Sequence, residues 1–412
     1  MPEFSEKKLE LISKKMQSFC DIGFYNDMAW EVGTSCSGKR KIIFKDFLGK
    51  SDVRASEDSI WRIFSMTKPI VTIAALKLIE EGKLRLFDHV SRFLPKFKNP
   101  KILKIINKNE KYFDAYSPMT IFHLLTHTSG LSYGFLPDNI ASIYRSKEIL
   151  LHSSVSLKDE VENISCCPLL FEPGSKWNYS VSTDILAYII ECAAVMELED
   201  ILENYLFKEI GIKDISFKID ESKILNLMTC YGDVDIFSKD LAIRNTDIFS
   251  NNPSLKEVNL YNTYPTNDSK FRRGGHGLFS TLDAYSTFAF FLLQKSNLIL
   301  SRKSFELMLT DHTKSEMKPL GINNIFKPSP GLDGDGFGLG FRIRGSGSGS
   351  LLFSSIGEFG WAGAAETMFF VDPIEEFYVV FMAQNLDQPG ASALFKQMIY
   401  SALVLIDCTL EK

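Results

Sequence analysis

A serine and a lysine lie three residues apart in the segment Ser65-Met66-Thr67-Lys68, at the start of a long apolar stretch. Residues at this spacing lie on the same side of a helix, so the lysine can reach the serine hydroxyl. A serine is a weak nucleophile until a neighbouring base removes its proton. The pair is therefore a candidate nucleophile and base. Because such spacing also arises by chance, its meaning depends on the rest of the chain.

Tyr179 is a second candidate for proton transfer. It follows the turn predicted at Pro173-Gly174 and precedes a helix predicted from Thr183 to Met196, so its phenol can be presented to a cleft. A tyrosine ordinarily loses its proton near pH 10, and a neighbouring ammonium group would lower that pKa. Tyr179 is then a candidate general base. The alternative is a buried tyrosine whose hydroxyl is hydrogen-bonded for structural reasons.

A third element, Trp361-Ala362-Gly363-Ala364, lies at the start of a predicted strand. Small residues in a strand allow the backbone to approach a ligand closely. A backbone N–H here, together with the N–H of Ser65, would form an oxyanion hole. The alternative is a tight turn with a packing glycine.

These three elements, in this order, resemble the motifs of the serine β-lactamase and penicillin-recognising superfamily, most closely its class C branch and the family VIII carboxylesterases. The segments 123–134 and 274–281 and the run Val371-Asp372-Pro373 strengthen the resemblance, which covers about residues 15 to 400. It implies that Ser65 is the nucleophile and that Lys68 and Tyr179 share the acid–base work. It also implies that the N–H groups of Ser65 and Ala364 hold the oxyanion.

Two departures from the family pattern concern the substrate. Val181 stands where β-lactamases have an asparagine two residues after the tyrosine, and Trp361 stands where they have a lysine or histidine. The resemblance assigns substrate binding to Trp361, Gly363, Tyr133 and Val181. Without the cation that anchors a substrate carboxylate, we expect a serine hydrolase that cleaves small neutral carboxylic esters. A class C-like β-lactamase or D-peptidase, an acyltransferase and a non-catalytic acyl sensor are the alternatives.

The elements that must position these residues predict an α+β protein with a β-lactamase-like fold. Strand patterns occur early, at 28–32, 41–44 and 59–63, and late, at 337–343, 351–356, 365–371 and 376–384, and helical patterns dominate between them. We expect one antiparallel sheet built from both chain ends and flanked by helices, including 5–20, 65–81 and 391–406. Residues 1–412 would form a single catalytic domain. Its α/β lobe would comprise about 1–82 and 271–412, and its helical lobe about 83–270.

Composition narrows the class of protein. The chain has 412 residues, a net charge of −5 and no basic stripe, so nucleic acid is not an expected partner. It has neither a signal-peptide pattern at its start nor a membrane-spanning run, so we expect a cytoplasmic protein with no membrane partner. The seven cysteines fit no zinc module and are expected to be free thiols, although a Cys166–Cys167 disulfide is the alternative. No metal or cofactor is expected, and the oligomeric state, monomer or dimer, stays open.

The pair His123 and His127 has the spacing of two zinc ligands on one helix. The corresponding metalloprotease motif requires glutamate at position 124, where this chain has leucine. We therefore expect no zinc there.

Overall fold

The structure is a computed structural model that describes residues 2–50, 55–233, 235–237, 255–268, 270–295, 298–318, 320, 334–346, 353–387 and 390–404. Its helices are α1 (Glu6–Ile22), α2 (Thr67–Glu80), α3 (Ile121–Leu125), α4 (Asn139–Ser146), α5 (Leu157–Ser165), α6 (Ser182–Ala194), α7 (Leu198–Leu202), α8 (Lys208–Ile210), α9 (Leu282–Gln294), α10 (Arg302–Met308) and α11 (Ala391–Ala402). Its strands are β1 (Asp27–Cys36), β2 (Lys39–Gly49), β3 (Trp61–Arg62), β4 (Lys101–Ile106), β5 (Asn109–Asp114), β6 (Ile215–Ser216), β7 (Phe279–Ser280), β8 (Gly336–Phe337), β9 (Arg342–Ile343), β10 (Phe359–Ala362), β11 (Met368–Asp372) and β12 (Phe377–Ala383).

A seven-stranded antiparallel sheet joins the two ends of the chain, in the order β2-β1-β12-β11-β10-β9-β8. The first strand pairs with the last, with Trp30 opposite Phe381. The prediction of one antiparallel sheet built from both ends is confirmed, and the molecule has the α+β, β-lactamase-like fold. This sheet brings the late motif on β10 close to the early Ser65 segment.

Helices cover both faces of this sheet. On one face α1 and α11 contribute Leu9, Met16, Phe395 and Ile399 to a core with Trp30. Leu9, Ile12 and Met16 recur at helical spacing and are buried, as an amphipathic helix requires. On the other face lies α9, which packs against β1, β11 and β12. Helix α2 packs against α6 and is buried from Thr67 to Leu76, in keeping with its nearly continuous apolar sequence.

Several local predictions were wrong. The segment at 59–63 contributes β3 to a separate sheet with β6 and β7, not to the main sheet. Of the strand predicted at 351–356, residues 353–356 do not form a strand. Residues 351–352 and the Gly-Ser run from 347 lie outside the described residues. The hairpin of β4 and β5 was missed because β5 is exposed throughout and β4 buries two adjacent residues, Ile102 and Leu103, so neither strand shows an alternation of buried and exposed residues.

The helices predicted at 5–20, 65–81 and 391–406 are confirmed with small shifts in their ends. The last helix ends at Ala402, and the final residues from 405 lie outside the described part of the chain. The six described cysteines, including Cys166 and Cys167, are free. None of the helices within the described residues is long and apolar enough to cross a membrane. The division into two lobes remains a prediction.

Candidate active site

Ser65 lies in a tight turn directly before α2. The turn is a single 3₁₀ turn over Phe64–Met66, where the sequence predicted an α-helix from Ser65. Phe64 has a φ of 44°, which is uncommon and costly for a residue with a bulky side chain. Its ring is buried edge-on against Tyr264, at 5.0 Å between ring centroids, and this packing holds the strained backbone in place. The half-buried Ser65 is thereby presented ahead of the first turn of α2.

Lys68 lies beside Ser65 and is almost completely buried. Its Nζ is 3.2 Å from the Oγ of Ser65 and donates a hydrogen bond of 2.6 Å to the carbonyl of Gly275. Burial lowers the pKa of Lys68 from 10.5 to about 7, although the negative charge of Asp184 opposes the change. At neutral pH a large fraction of Lys68 is therefore uncharged and able to accept a proton.

Tyr179 approaches Ser65 from the loop before α6, as predicted. Its hydroxyl donates a hydrogen bond of 2.6 Å to the Oγ of Ser65. The expectation that a neighbouring ammonium would lower its pKa was wrong, because burial dominates and raises the pKa of Tyr179 well above its usual value. Hydrogen bonds with Ser65 and Trp361 oppose this rise only in part. At neutral pH Tyr179 is therefore protonated, and it acts as a hydrogen-bond donor.

A buried carboxylate lies behind Lys68, and sequence reasoning missed it. Asp184, in the first turn of α6, accepts a hydrogen bond of 2.9 Å from the backbone N–H of Gly275 and one of 3.5 Å from the hydroxyl of Tyr133. Gly275 thus links the two charged groups, since its carbonyl accepts from Lys68. A Cβ at Gly275 would lie 2.3 Å from Oδ2 of Asp184, so only glycine fits there. The adjacent glycines at 274 and 275 were the available signal.

Tyr133 was predicted to bind substrate, and the structure places it next to Lys68. Its ring centroid is 5.1 Å from Nζ of Lys68, and its side chain is 2% exposed. With Tyr179, whose ring centroid is 4.6 Å from the same nitrogen, it surrounds Lys68 with aromatic carbon. These contacts explain the burial of the lysine and make Tyr133 a supporting residue.

The third motif also lies at this site. The ring of Trp361, on β10, is 5.5 Å from that of Tyr179 between centroids. A Cβ at Gly363 would lie 2.6 Å from the carbonyl oxygen of Ile63, so the end of β10 abuts the segment that leads to Ser65. Ala364 follows Gly363 there, and its part in an oxyanion hole remains a prediction.

Val181 does not have the surroundings expected of a substrate-binding residue. It is wholly buried in the core at the start of α6, and its backbone N–H donates to the carbonyl of Ser132. A valine suits this position because it fills the core.

His127 is a packing residue of the site. Its ring lies 5.0 Å from that of Tyr179, and its Nδ1 is 3.2 Å from the Oγ of Ser180. Burial lowers its pKa well below the usual value, so the ring is neutral. Within the described residues there is no cluster of histidine, cysteine or acidic side chains that could hold a metal ion.

Comparison with known proteins agrees with this arrangement. The profile of the Beta-lactamase family matches residues 36–398. The chain belongs to the Beta-lactamase family. This is a family of serine hydrolases, and the relatives of this chain include esterases and acyltransferases.

Two curated relatives and one solved structure illustrate the range. Esterase EstB of Burkholderia gladioli is 33% identical over 187 residues, which cover 43% of this chain and 44% of EstB. Acyltransferase mokF of Monascus pilosus is 27% identical over 278 residues, 67% of this chain and 62% of that protein. The chain thus matches less than two thirds of either relative's length. The structure of EstCE1, titled a hydrolase with promiscuous acyltransferase activity, has a TM-score of 0.76 at 23% identity and covers 96% of this chain and 97% of its own.

Proposed function

We propose that this protein is a carboxylesterase that cleaves small neutral carboxylic esters through an acyl-enzyme on Ser65. The observation that carries the proposal is that the Ser65 hydroxyl contacts both Lys68 and Tyr179, whose pKa values are shifted in opposite directions. Lys68 is buried so that it tends to lose its proton, whereas Tyr179 is buried so that it keeps its own. Pairs of groups whose pKa values are pushed apart are typical of acid–base catalysis.

The proton path follows from these hydrogen bonds. Tyr179 donates to the Oγ of Ser65, which leaves the serine proton directed to the lone pair of neutral Lys68. As Oγ attacks the ester carbonyl, Lys68 takes the serine proton and becomes an ammonium ion, held by the Gly275 carbonyl and the charge of Asp184. Tyr179 then supplies its proton to the leaving alkoxide and recovers one from Lys68.

Backbone N–H groups would hold the oxyanion, and the second step would use Lys68 again as the base. The N–H groups of Ser65 and Ala364 would hold the negative oxygen, each worth about 10²–10³ in rate. Water then attacks the acyl-enzyme while Lys68 accepts its proton, and Lys68 returns that proton to the Oγ of Ser65 as the carboxylic acid is released. The net reaction is ester plus water to acid plus alcohol.

The preference for neutral esters is supported by the surroundings of the third motif. Trp361 packs against Tyr179 and lies edge-on to Phe337, at 5.4 Å between centroids. An indole at this position offers an apolar wall to an acyl or alcohol group and offers no charge to a substrate carboxylate. This favours simple esters over anionic β-lactams.

The test is labelling and turnover with the Ser65→Ala variant. A fluorophosphonate should add one adduct to the wild-type protein at Ser65, and short p-nitrophenyl esters should be hydrolysed. Ser65→Ala should lose both while its thermal unfolding is unchanged, and Ser142→Ala, an exposed serine in α4, should keep both. Hydrolysis retained by Ser65→Ala would disprove the nucleophile, and nitrocefin as the best substrate would favour a β-lactamase.

An acyltransferase is the second candidate, favoured by the likeness to mokF. The acyl-enzyme is common to both reactions, so the difference lies in the acceptor. Adding a series of alcohols during ester turnover and measuring the ratio of new ester to free acid separates the two. Transfer that exceeds hydrolysis at millimolar acceptor would assign an acyltransferase.

A further inference from the structure

The hairpin of β4 and β5 exposes apolar side chains to solvent. Within the described part of the chain, backbone hydrogen bonds connect it to the rest of the molecule at its base, where the N–H of Leu103 donates to the carbonyl of Leu169 at 3.0 Å. Farther along, Ile105 and Tyr112, on one face of the hairpin, are 47% and 54% exposed, and Phe113, on the other face with Lys104 and Lys111, is 40% exposed. Large apolar side chains so exposed on both faces indicate a contact surface.

The same segment carries a concentration of positive charge. Residues 95–118 contain six lysines, no arginine and two acidic residues, in a chain whose net charge is −5. Lys104 lies directly opposite Lys111 in the hairpin register, an arrangement that destabilises a strand pair. An anionic partner would relieve this repulsion, so the pair is a second and independent indication of what the surface contacts.

A cleft continues this surface at the base of the hairpin. It has a volume of about 800 Å³ and is lined in part by residues that flank the two strands, Lys98 before β4 and Tyr116 after β5. Phe87, on its rim, and Tyr116 are 72% and 86% exposed. None of the catalytic candidates lines it. Aromatic and cationic groups are therefore present at the base of the hairpin as well, where Arg92 and Asp88 also line the cleft.

We propose that this hairpin surface, comprising residues 98–116 and Phe87, docks onto an anionic lipid bilayer. Lysines attract anionic lipids, while aromatic and aliphatic side chains between them enter the headgroup region. Protein–protein interfaces favour arginine and are depleted in lysine, so the five lysines of residues 98–116, with no arginine among them, favour a membrane over an acidic protein. The attachment is peripheral, by a folded hairpin. It differs from the sequence-based expectation of no membrane partner, which rested on spanning segments alone.

The test is flotation of the full chain with vesicles. Vesicles of phosphatidylcholine with 30% phosphatidylserine should carry the protein at 50 mM salt, and those of phosphatidylcholine alone should not. Lys104→Glu with Lys111→Glu should weaken binding by about thirtyfold or more, since each lysine near an anionic surface contributes about 1 kcal/mol. The matched control is Lys7→Glu with Lys14→Glu on α1, which changes the net charge equally at exposed positions outside the hairpin.

Two further measurements separate charge from insertion and from protein binding. Tyr112→Ser with Phe113→Ser should weaken binding at both 50 and 300 mM salt, because it removes the apolar contribution. Ester hydrolysis should be unchanged in every variant, which shows that each folds. Binding to anionic vesicles that is absent, or equal in the hairpin and control variants, would overturn the proposal. So would capture by immobilised poly-glutamate without capture by vesicles.

Discussion

Replacing Asp184 by asparagine is expected to move the pH dependence of ester hydrolysis to lower pH. In the proposed mechanism neutral Lys68 is the base, so kcat/KM of the wild-type protein should rise with pH through an inflection near 7. The carboxylate of Asp184 stabilises the ammonium form of Lys68 and thereby keeps its pKa from falling further. Asparagine removes that charge and keeps an oxygen that can accept from the N–H of Gly275.

The magnitude follows from the burial of Lys68. Lowering its pKa from 10.5 to about 7 corresponds to about 5 kcal/mol, at 1.36 kcal/mol for each pKa unit. The lowered pKa of about 7 already includes the opposing effect of Asp184. A nearby opposite charge shifts a pKa by about 1–3 units. The inflection in Asp184→Asn should therefore lie between about pH 4 and 6. At pH 6 the variant should work at half or more of its own maximum, whereas the wild-type protein should work at about a tenth.

The assay is kcat/KM for 1-naphthyl acetate between pH 5 and 9, with thermal unfolding measured at each pH. Asp214→Asn, which alters an exposed carboxylate, is the matched control and should keep the wild-type inflection. An inflection near 9–10 in the wild-type protein would refute the assignment of Lys68 as a neutral base. An inflection that stays in place or rises in Asp184→Asn would refute the coupling between these two groups.

Three further substitutions examine the same site. Lys68→Met should abolish hydrolysis and raise the free energy of unfolding at pH 7. In the wild-type protein, Lys68 binds a proton more readily in the unfolded state than in the folded state, and this favours unfolding at pH 7. The extra stability of Lys68→Met should therefore vanish as pH rises from about 7 to 10.5, as chemical denaturation across this range can show. Gly275→Ala should lower kcat at least a hundredfold, because its Cβ would collide with the Asp184 carboxylate, whereas Gly134→Ala meets nothing closer than 3.7 Å and should be nearly neutral in the same assay. Trp361→Phe should reduce kcat several-fold with little change in KM, since it removes the hydrogen bond to Tyr179 and keeps an aromatic ring at this position. A rise in KM as large as the fall in kcat would instead indicate a role in substrate binding.

The sheet could be predicted because it depends on local pattern, whereas Ser65, Lys68 and Tyr179 became catalytic candidates through the resemblance of their motifs to those of a known family, and the structure brings the three side chains together. Apolar strands at 28–32 and 376–384 can bury both faces only in one central sheet, and they are neighbours in the structure. Ser65, Lys68 and Tyr179 have types and spacings that survive any small error in element ends. The hairpin at 101–114 could not be predicted in this way, because neither its exposed second strand nor its partly buried first strand has the alternation that marks a half-buried strand.

The division of labour between Lys68 and Tyr179 required the structure, since burial decides it. Removal from water disfavours the charged form of each group, and this lowers the pKa of an amine and raises that of a phenol. The same aromatic surroundings therefore favour Lys68 as the acceptor and Tyr179 as the donor in the proposed mechanism. The sequence made both Lys68 and Tyr179 candidate bases and left open which of them acts. Tyr133 and Asp184 bear on that choice, one by excluding water from the lysine and the other by limiting how far its pKa falls. Lys68 consequently remains able both to accept the serine proton and to return it near neutral pH.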